Sequence, residues 1–270
     1  MIISIIINNN GFLVLDKVCL VCYNNHMELL VLGDIHGRNT WKEYTKDINT
    51  FDKVIFLGDY VDDFTKTDEE IILNLKEIIN FKKSKYHKVE LLLGNHDMLY
   101  YTIPNNRLWR CSGYRETYAL QINQLFQKNK NCFKPCYQLG NWFFSHAGLN
   151  KGFLKNLQKR VPKSVIDIKN KDYATYINEI FKATPNYLAD ISYYRGGNSD
   201  YGGPFWADLR EFSENSYISK LNQVCGHQPV EEIQTKEFGK GKTKMIWIDT
   251  ESHPSGKEPS KITLQIGKNG

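Results

Sequence analysis

The sequence predicts an α/β fold organised around a parallel β-sheet. Three observations carry that expectation. Apolar strand-like runs alternate with helix-like segments between residues 28 and 94, an order that gives parallel strands joined by right-handed crossovers. Five of the strand-like runs end in a short polar motif, and the carboxyl ends of parallel strands are where such sheets bind ligands. With 270 residues, 41% hydrophobic and 24% charged, the chain can bury a full core and reads as an ordinary globular protein.

The elements follow in order. "ELLVLG" (28–33) is a buried strand, "NTWKEYTKDI" (39–48) a helix and "DKVIFLG" (52–58) a second strand. "TDEEIILNLKEIINFKK" (67–83) has helical spacing, with acidic residues in its first turn where the helix dipole favours them. "KVELLLG" (88–94) is a third strand. Beyond it the pattern loosens. A helix, "YRETYALQINQLFQK" (114–128), leads to strands "KPCYQLG" (134–140) and "NWFFSHAG" (141–148), which meet at a "GN" hairpin signal. Residues 150–190 read as a largely helical, polar insertion, and "YYRGGNSDYGGPFWAD" (193–208) as a Gly-rich loop. "LNQVCG" (221–226), "KTKMIWIDT" (242–250) and "KITLQIG" (261–267) close the chain as strands.

No repeat or low-complexity linker interrupts residues 27–270, which are expected to form one domain. Residues 1–26 begin apolar, but three asparagines and a glycine break the run. It is too short and broken to span a membrane and lacks the basic start of a signal peptide. A hairpin turning at "NNNG" is one reading; an N-terminal extension is preferred, because "MELLVLGDIHG" makes a natural start at Met27.

The net charge of +5 comes from scattered lysines with no long basic block, so a solvated positive face is expected and a nucleic-acid partner is not. Six cysteines do not make a disulfide framework in a chain of this length. Cys19 and Cys22 form a lone "CLVC", and Cys132 and Cys136 straddle a proline without zinc-site spacing. Buried thiols in a reducing cytoplasm are the plainer expectation.

The five strand-end motifs are "GDIHG" (33–37), "GDYVDD" (58–63), "GNHD" (94–97), "SHAG" (145–148) and "GHQP" (226–229), and they hold four of the seven histidines. One "GD" is a common turn and one buried histidine is usually a hydrogen-bonded core residue. Five motifs in succession point to convergence on one site. Their carboxylate, amide and imidazole groups suit Mn, Fe or Zn.

The order GDxHG, GDxxD, GNHD, SHAG, GH resembles that of the calcineurin-like metallophosphoesterases, and its spacing is similar to the Ser/Thr phosphoprotein phosphatase branch. The likeness covers residues 29–149 and 223–229 and leaves the middle insertion uncovered. It implies two packed mixed β-sheets flanked by helices, a four-layer sandwich. It also implies two divalent metal ions. Asp34 and His36 would bind the first, Asp59 would bridge both, and Asn95, His146 and His227 would complete the second. His96 would be the general acid, with Asp62 orienting its ring. Such a metal pair polarises a phosphoryl oxygen and activates water, while an imidazole with a pKa near neutrality protonates the departing alkoxide.

One position departs from the resemblance. The family branch usually reads GDxxDRG, with an arginine that clamps phosphate; here the place holds Asp63, in "GDYVDDF". Arg195 and Arg210, flanking the Gly-rich loop, are the candidate replacements, with Arg38 third. "PFWAD" resembles the tryptophan loop that borders the active site in that branch. The expected substrate is a phosphorylated molecule, phosphoprotein or nucleotide, and no membrane partner is expected. A Ser/Thr protein phosphatase is the leading reading. A dinucleoside polyphosphate or nucleotide hydrolase is the alternative, because it shares all five motifs. A binding module with a dead site finds no support, since each ligand position holds a competent residue.

Overall fold

The computed structural model describes residues 26–102, 111–164 and 166–267, together with the backbone of two short N-terminal strands. Those strands, β1 (Ile6–Ile7) and β2 (Leu13–Val14), pair antiparallel with each other. The "NNNG" turn and the Cys19–Cys22 pair lie outside the described residues.

The alternating region forms β3 (His26–Leu32), α1 (Thr40–Tyr44), β4 (Lys53–Phe56), α2 (Asp68–Ser84), β5 (Val89–Leu92) and α3 (Asn95–Tyr101). Helix α1 stops four residues before the predicted end, and Ile48–Thr50 form a separate single turn. Helix α2 begins with a reciprocal cap: the Glu70 amide donates to the Thr67 hydroxyl and the Thr67 amide to the Glu70 carboxylate. Then follow α4 (Ala119–Lys128), β6 (Phe133–Lys134), β7 (Cys136–Leu139), β8 (Trp142–Ser145), α5 (Lys151–Arg160) and α6 (Tyr173–Ala183). The chain closes with β9 (Asn222–Cys225), β10 (Gln234–Phe238), β11 (Thr243–Trp247) and β12 (Lys261–Gly267).

Two five-stranded mixed sheets result. The first runs β12-β3-β4-β5-β6, parallel except for β12; the second runs β10-β11-β9-β8-β7, with antiparallel pairs at both edges. The predicted strand "KPCYQLG" is therefore two strands in two sheets. Pro135 has no N–H to continue a ladder, and the chain changes sheets there: β6 pairs with β5, and β7 with β8. Strand β10 was not anticipated either. It is a polar edge strand with only Phe238 buried.

Alternating side chains sort into layers. Leu29, Val31, Ile55, Leu57 and Leu92 of the first sheet meet Phe144, Val224, Ile246 and Ile248 of the second in one buried cluster. On the outer face of the first sheet Leu30, Leu32, Val54, Phe56 and Leu91 pack with Trp41, Ile71, Leu75 and Ile78 of α1 and α2. Phe143 and Cys136 on the outer face of the second sheet join Phe153, Leu157, Ile177 and Ile180 of α5 and α6. Residues 151–183, polar in overall composition, thus supply one of the outer layers. No helix among the described residues is long and apolar enough to cross a membrane. Cys132, Cys136 and Cys225 are free thiols among the described residues.

Candidate active site

The carboxyl ends of β3, β4, β5, β8 and β9 bring Asp34, His36, Asp59, Asn95, His96, His146 and His227 together. Two glycines of the motifs owe their place to close approach. A Cβ on Gly94 would lie 2.0 Å from Asp59 Oδ1, and one on Gly226 would lie 2.1 Å from Asp34 Oδ1. Each carboxylate thus rests against the backbone of another motif: the His227 amide donates to Asp34 Oδ1 (2.9 Å) and the His96 amide to Asp59 Oδ1 (2.9 Å). His36, Asp59, Asp62 and His227 have φ between 43° and 64°, four of the seven non-glycine residues with positive φ among those described. Such conformations cost ~1–3 kcal/mol each and cluster at functional sites.

The histidine rings are fixed in orientation. His146 Nδ1 faces the Leu57 carbonyl at 3.1 Å, and His36 Nδ1 faces the Asp62 and Val61 carbonyls at 2.6 and 3.1 Å. A carbonyl only accepts, so both Nδ1 atoms carry hydrogen and both Nε2 atoms turn inward. This is the usual backing of a metal-bound histidine. His146 Nε2 then lies 2.7 Å from Asn95 Oδ1, 3.1 Å from His227 Nδ1 and 3.3 Å from Asp59 Oδ2. His36 Nε2 lies 3.7 Å from Asp59 Oδ2 and 4.0 Å from Asp34 Oδ2. Lone pairs facing lone pairs call for a cation between them. Where no metal sits, a proton takes that role. Burial opposes it, but the charges of Asp59 and Asp34 outweigh burial and push the His146 pKa up to about 9. Asp34 and Asp59 are 3% and 2% exposed, and with His146 they form a group able to hold a metal ion. The donor set fits two divalent ions. Asp59 Oδ2 lies near both inward-facing imidazoles, so Asp59 would be placed to serve both positions.

His96 borders this cluster. Its Nδ1 is 3.0 Å from Asp62 Oδ2, and the other Asp62 oxygen accepts from Tyr100 Oη at 2.5 Å. Burial pulls the His96 pKa down, yet Asp59 and then Asp62 outweigh it, leaving the ring above the ordinary imidazole value.

The three arginines part company. Arg195 lines the pocket, where Nε donates to His227 Nε2 (3.0 Å) and Nη2 to the His227 carbonyl (2.6 Å). Burial and then the nearby Arg195 charge hold the His227 pKa well below the ordinary imidazole value, so the ring stays neutral. Arg210 is not among the pocket-lining residues. It grips Asp208 with Nε and Nη2 (2.7 and 3.0 Å) and covers the Tyr194 ring, and it is 57% exposed. Arg38 lies to the side, donating to the Asp34 carbonyl (2.7 Å) and facing Glu251. Among the described residues no arginine side chain pairs with the Asp63 carboxylate, which accepts from the Thr65 amide (2.7 Å), the Thr65 hydroxyl (2.7 Å) and the Lys66 amide (2.8 Å) within its own turn. Trp206 of "PFWAD" lines the pocket, its ring 5.6 Å from that of His227.

Three further residues belong to the site. Asp97 is fully buried and accepts from the amides of Asp59 (2.8 Å), Tyr60 (2.9 Å) and Gly94 (2.8 Å), tying two motifs together. Cys111 Sγ accepts from Asn95 Nδ2 (3.2 Å), which turns Asn95 Oδ1 toward His146. Asp249 lines the pocket with one buried carboxylate oxygen that finds no hydrogen-bond partner among the described residues. Burial and the charge of Asp34 push its pKa up to about 7. Asp97 sits inside "GNHD", and Asp249 follows β11 as Asp34 follows β3; that repeated strand-then-Asp pattern was the available signal.

The sequence profile of the calcineurin-like phosphoesterase family matches residues 27–231. The chain belongs to that family. Membership implies a hydrolase acting on phosphoesters at a two-metal centre, in keeping with the donor set above. No curated protein matches the chain. Among solved structures it is similar in fold to a cold-active protein-tyrosine phosphatase of a psychrophilic Shewanella species, at 16% identity and TM-score 0.53 over 90% of this chain and 76% of that one. A protein serine/threonine phosphatase from Saccharomyces cerevisiae aligns at 16% identity and TM-score 0.42, over 89% of this chain and 71% of that one.

Proposed function

We propose that this calcineurin-like phosphoesterase hydrolyses phosphomonoesters, acting on phosphorylated protein side chains with serine and threonine esters foremost. The observation that supports it is the His96–Asp62 pair, 3.0 Å apart, beside the Asp34–Asp59–His146 group. Asp34, His36 and Asp59 would hold one metal ion; Asp59, Asn95, His146 and His227 would hold the other. Bound there, Mn, Fe or Zn ions supply Lewis-acid polarisation of the phosphoryl group and activation of water. Arg195 lends a cation to the pocket wall that Asp63 cannot supply. His96 keeps a proton for the departing oxygen, and Asp62 aims the ring, as the orienting carboxylate does in other catalytic dyads.

Proton donation helps only a leaving group that needs it. A serine alkoxide leaves poorly without a proton, whereas p-nitrophenolate is stable without one. His96→Ala should cost roughly 10²–10⁴-fold on phosphoserine peptides and distinctly less on p-nitrophenyl phosphate. Equal losses on both would show that His96 binds metal or ground state instead. A parallel assay with diadenosine tetraphosphate separates this reading from a nucleotide hydrolase.

A further inference from the structure

We propose that a basic groove beside β6, separate from the phosphoesterase centre, docks an extended acidic segment of a partner protein. The inference concerns a second surface and does not depend on which phosphoester the centre cleaves.

Lysines that are scattered in the sequence gather here. Lys53 opens β4, Lys82 lies in the last turn of α2, Lys130 sits in the short turn before β6, Lys134 ends β6, and Lys182 lies in the last turn of α6. Two adjoining recesses hold them. One, of about 710 Å³, places Lys130, Lys134 and Lys182 around Phe133, Pro135 and Phe181, with no carboxylate among its described lining residues. The other, of about 260 Å³, is lined by Lys53, Lys82 and Lys134 and has Glu90 as its one acidic residue among those described. Asn131 and Lys134 border both recesses, which makes them one groove. Neither shares a lining residue with the pocket of the candidate active site. Glu90 stands near the start of β5, whereas Asn95 follows its other end.

Surface lysines are ordinary, but this set is short of negative charge. The ammonium groups of Lys134, Lys53 and Lys82 lie 2.9, 3.4 and 3.6 Å from the one Glu90 carboxylate. Lys82 is only 5% exposed, and its ammonium donates to the Tyr86 and Val89 carbonyls, which hold it in place. Burial pulls its pKa down, and the neighbouring charge of Lys134 works in the same direction. Like charges kept together away from bulk water repel one another more than they would in solution, and carboxylates from a ligand relieve that repulsion. Lys130 and Lys182 carry the positive line on, past the first recess and over the apolar Phe133–Pro135–Phe181 side. One small anion would fill a single recess; a chain with acidic and apolar side chains fits both. Single-stranded nucleic acid fits less well, because it needs rings to stack on. Tyr86 is already covered by the Lys82 ammonium at 4.7 Å and met edge-on by His87 at 5.3 Å, and Tyr101 packs against Phe181 at 5.3 Å.

Fluorescence anisotropy of the full chain tests this with a labelled peptide of alternating glutamate and leucine, its glutamine counterpart, and a single-stranded oligonucleotide of equal length. The glutamate peptide should bind, more weakly as salt rises, and the glutamine peptide should bind at least roughly tenfold less tightly. The double variant Lys130→Glu, Lys182→Glu should lose roughly tenfold or more in affinity. The matched double variant Lys155→Glu, Lys159→Glu, on exposed positions of α5 outside both recesses, should bind as wild type does. Equal losses in the two double variants would reduce the effect to net charge and overturn the proposal. So would a glutamate peptide that does not bind, a glutamine peptide that binds as well, or an oligonucleotide that binds more tightly than the peptide. All four substituted lysines are exposed, so these variants retain the fold, which far-ultraviolet circular dichroism checks.

Discussion

Asp97 is the side chain on which the placement of Asp59 turns. Its carboxylate accepts three buried backbone N–H groups, from Asp59, Tyr60 and Gly94, at 2.8, 2.9 and 2.8 Å. Asp97→Ala leaves all three without a partner. A buried donor stripped of its acceptor costs ~1–3 kcal/mol, so the sum is at least ~3 kcal/mol, and relief of repulsion with Asp59 offsets only part of it. A net loss of ~3–5 kcal/mol is a large share of the ~5–15 kcal/mol that holds a typical domain folded. Asp97→Asn is the graded control. One oxygen serves Asp59 and Gly94 and the other serves Tyr60, so an amide can keep two bonds but must turn its NH₂ toward the third donor. It should cost ~2 kcal/mol, one orphaned donor's worth. Urea denaturation of the metal-loaded proteins reads both values. An Asp97→Ala protein within ~1 kcal/mol of wild type would refute the idea that this carboxylate ties the two motifs, since three orphaned donors cost at least ~3 kcal/mol.

Asp62→Asn removes a charge that raises the His96 pKa, so the limb on which activity falls with rising pH should move to lower pH; an unmoved limb would assign it to another group. Asp63→Arg restores the cation expected from the resemblance and should lower KM for phosphomonoesters, while loss of the turn bonds costs ~1 kcal/mol in denaturation; a raised KM would show that Arg195 already suffices. Deletion of residues 1–25 keeps β3 whole and should leave kcat/KM nearly unchanged, because among the described residues β1 and β2 pair with each other and with neither five-stranded sheet. Insoluble protein on deletion would show that the segment completes the fold.

The alternating half of the first sheet was legible because its strands are short apolar runs ending at glycine, and the residues that converge at the candidate site were legible because each follows such an end. The second sheet was not. "KPCYQLG" reads as one strand, and only the absent Pro135 N–H marks where the chain changes sheets. Strand β10 is polar because it is an exposed edge, so period-two patterning had nothing to detect. Helix α3 was hidden behind "GNHD", whose residues serve both as site and as first helical turn. Asp97 and Cys111 act on other site residues rather than on substrate, through an amide cradle and an amide orientation that leave no spacing in the sequence. Arg195 and Arg210 were equivalent as text. The left-handed Gly196 ends the turn that delivers Arg195 to His227, while the Asp208 carboxylate keeps Arg210 aside.

The central claim is a two-metal centre organised about Asp59, and metal stoichiometry tests it most directly. Elemental analysis of the purified wild type should find about two transition-metal ions per chain, as a paired site requires, with activity lost on chelation and restored by Mn, Fe or Zn. Asp59→Asn should lower occupancy of both positions, because Asp59 Oδ2 faces His146 at 3.3 Å and His36 at 3.7 Å. Asp34→Asn should spare the position built by Asn95, His146 and His227. A wild type free of metal and fully active in EDTA would contradict the account, and so would an Asp59→Asn protein that retains both ions.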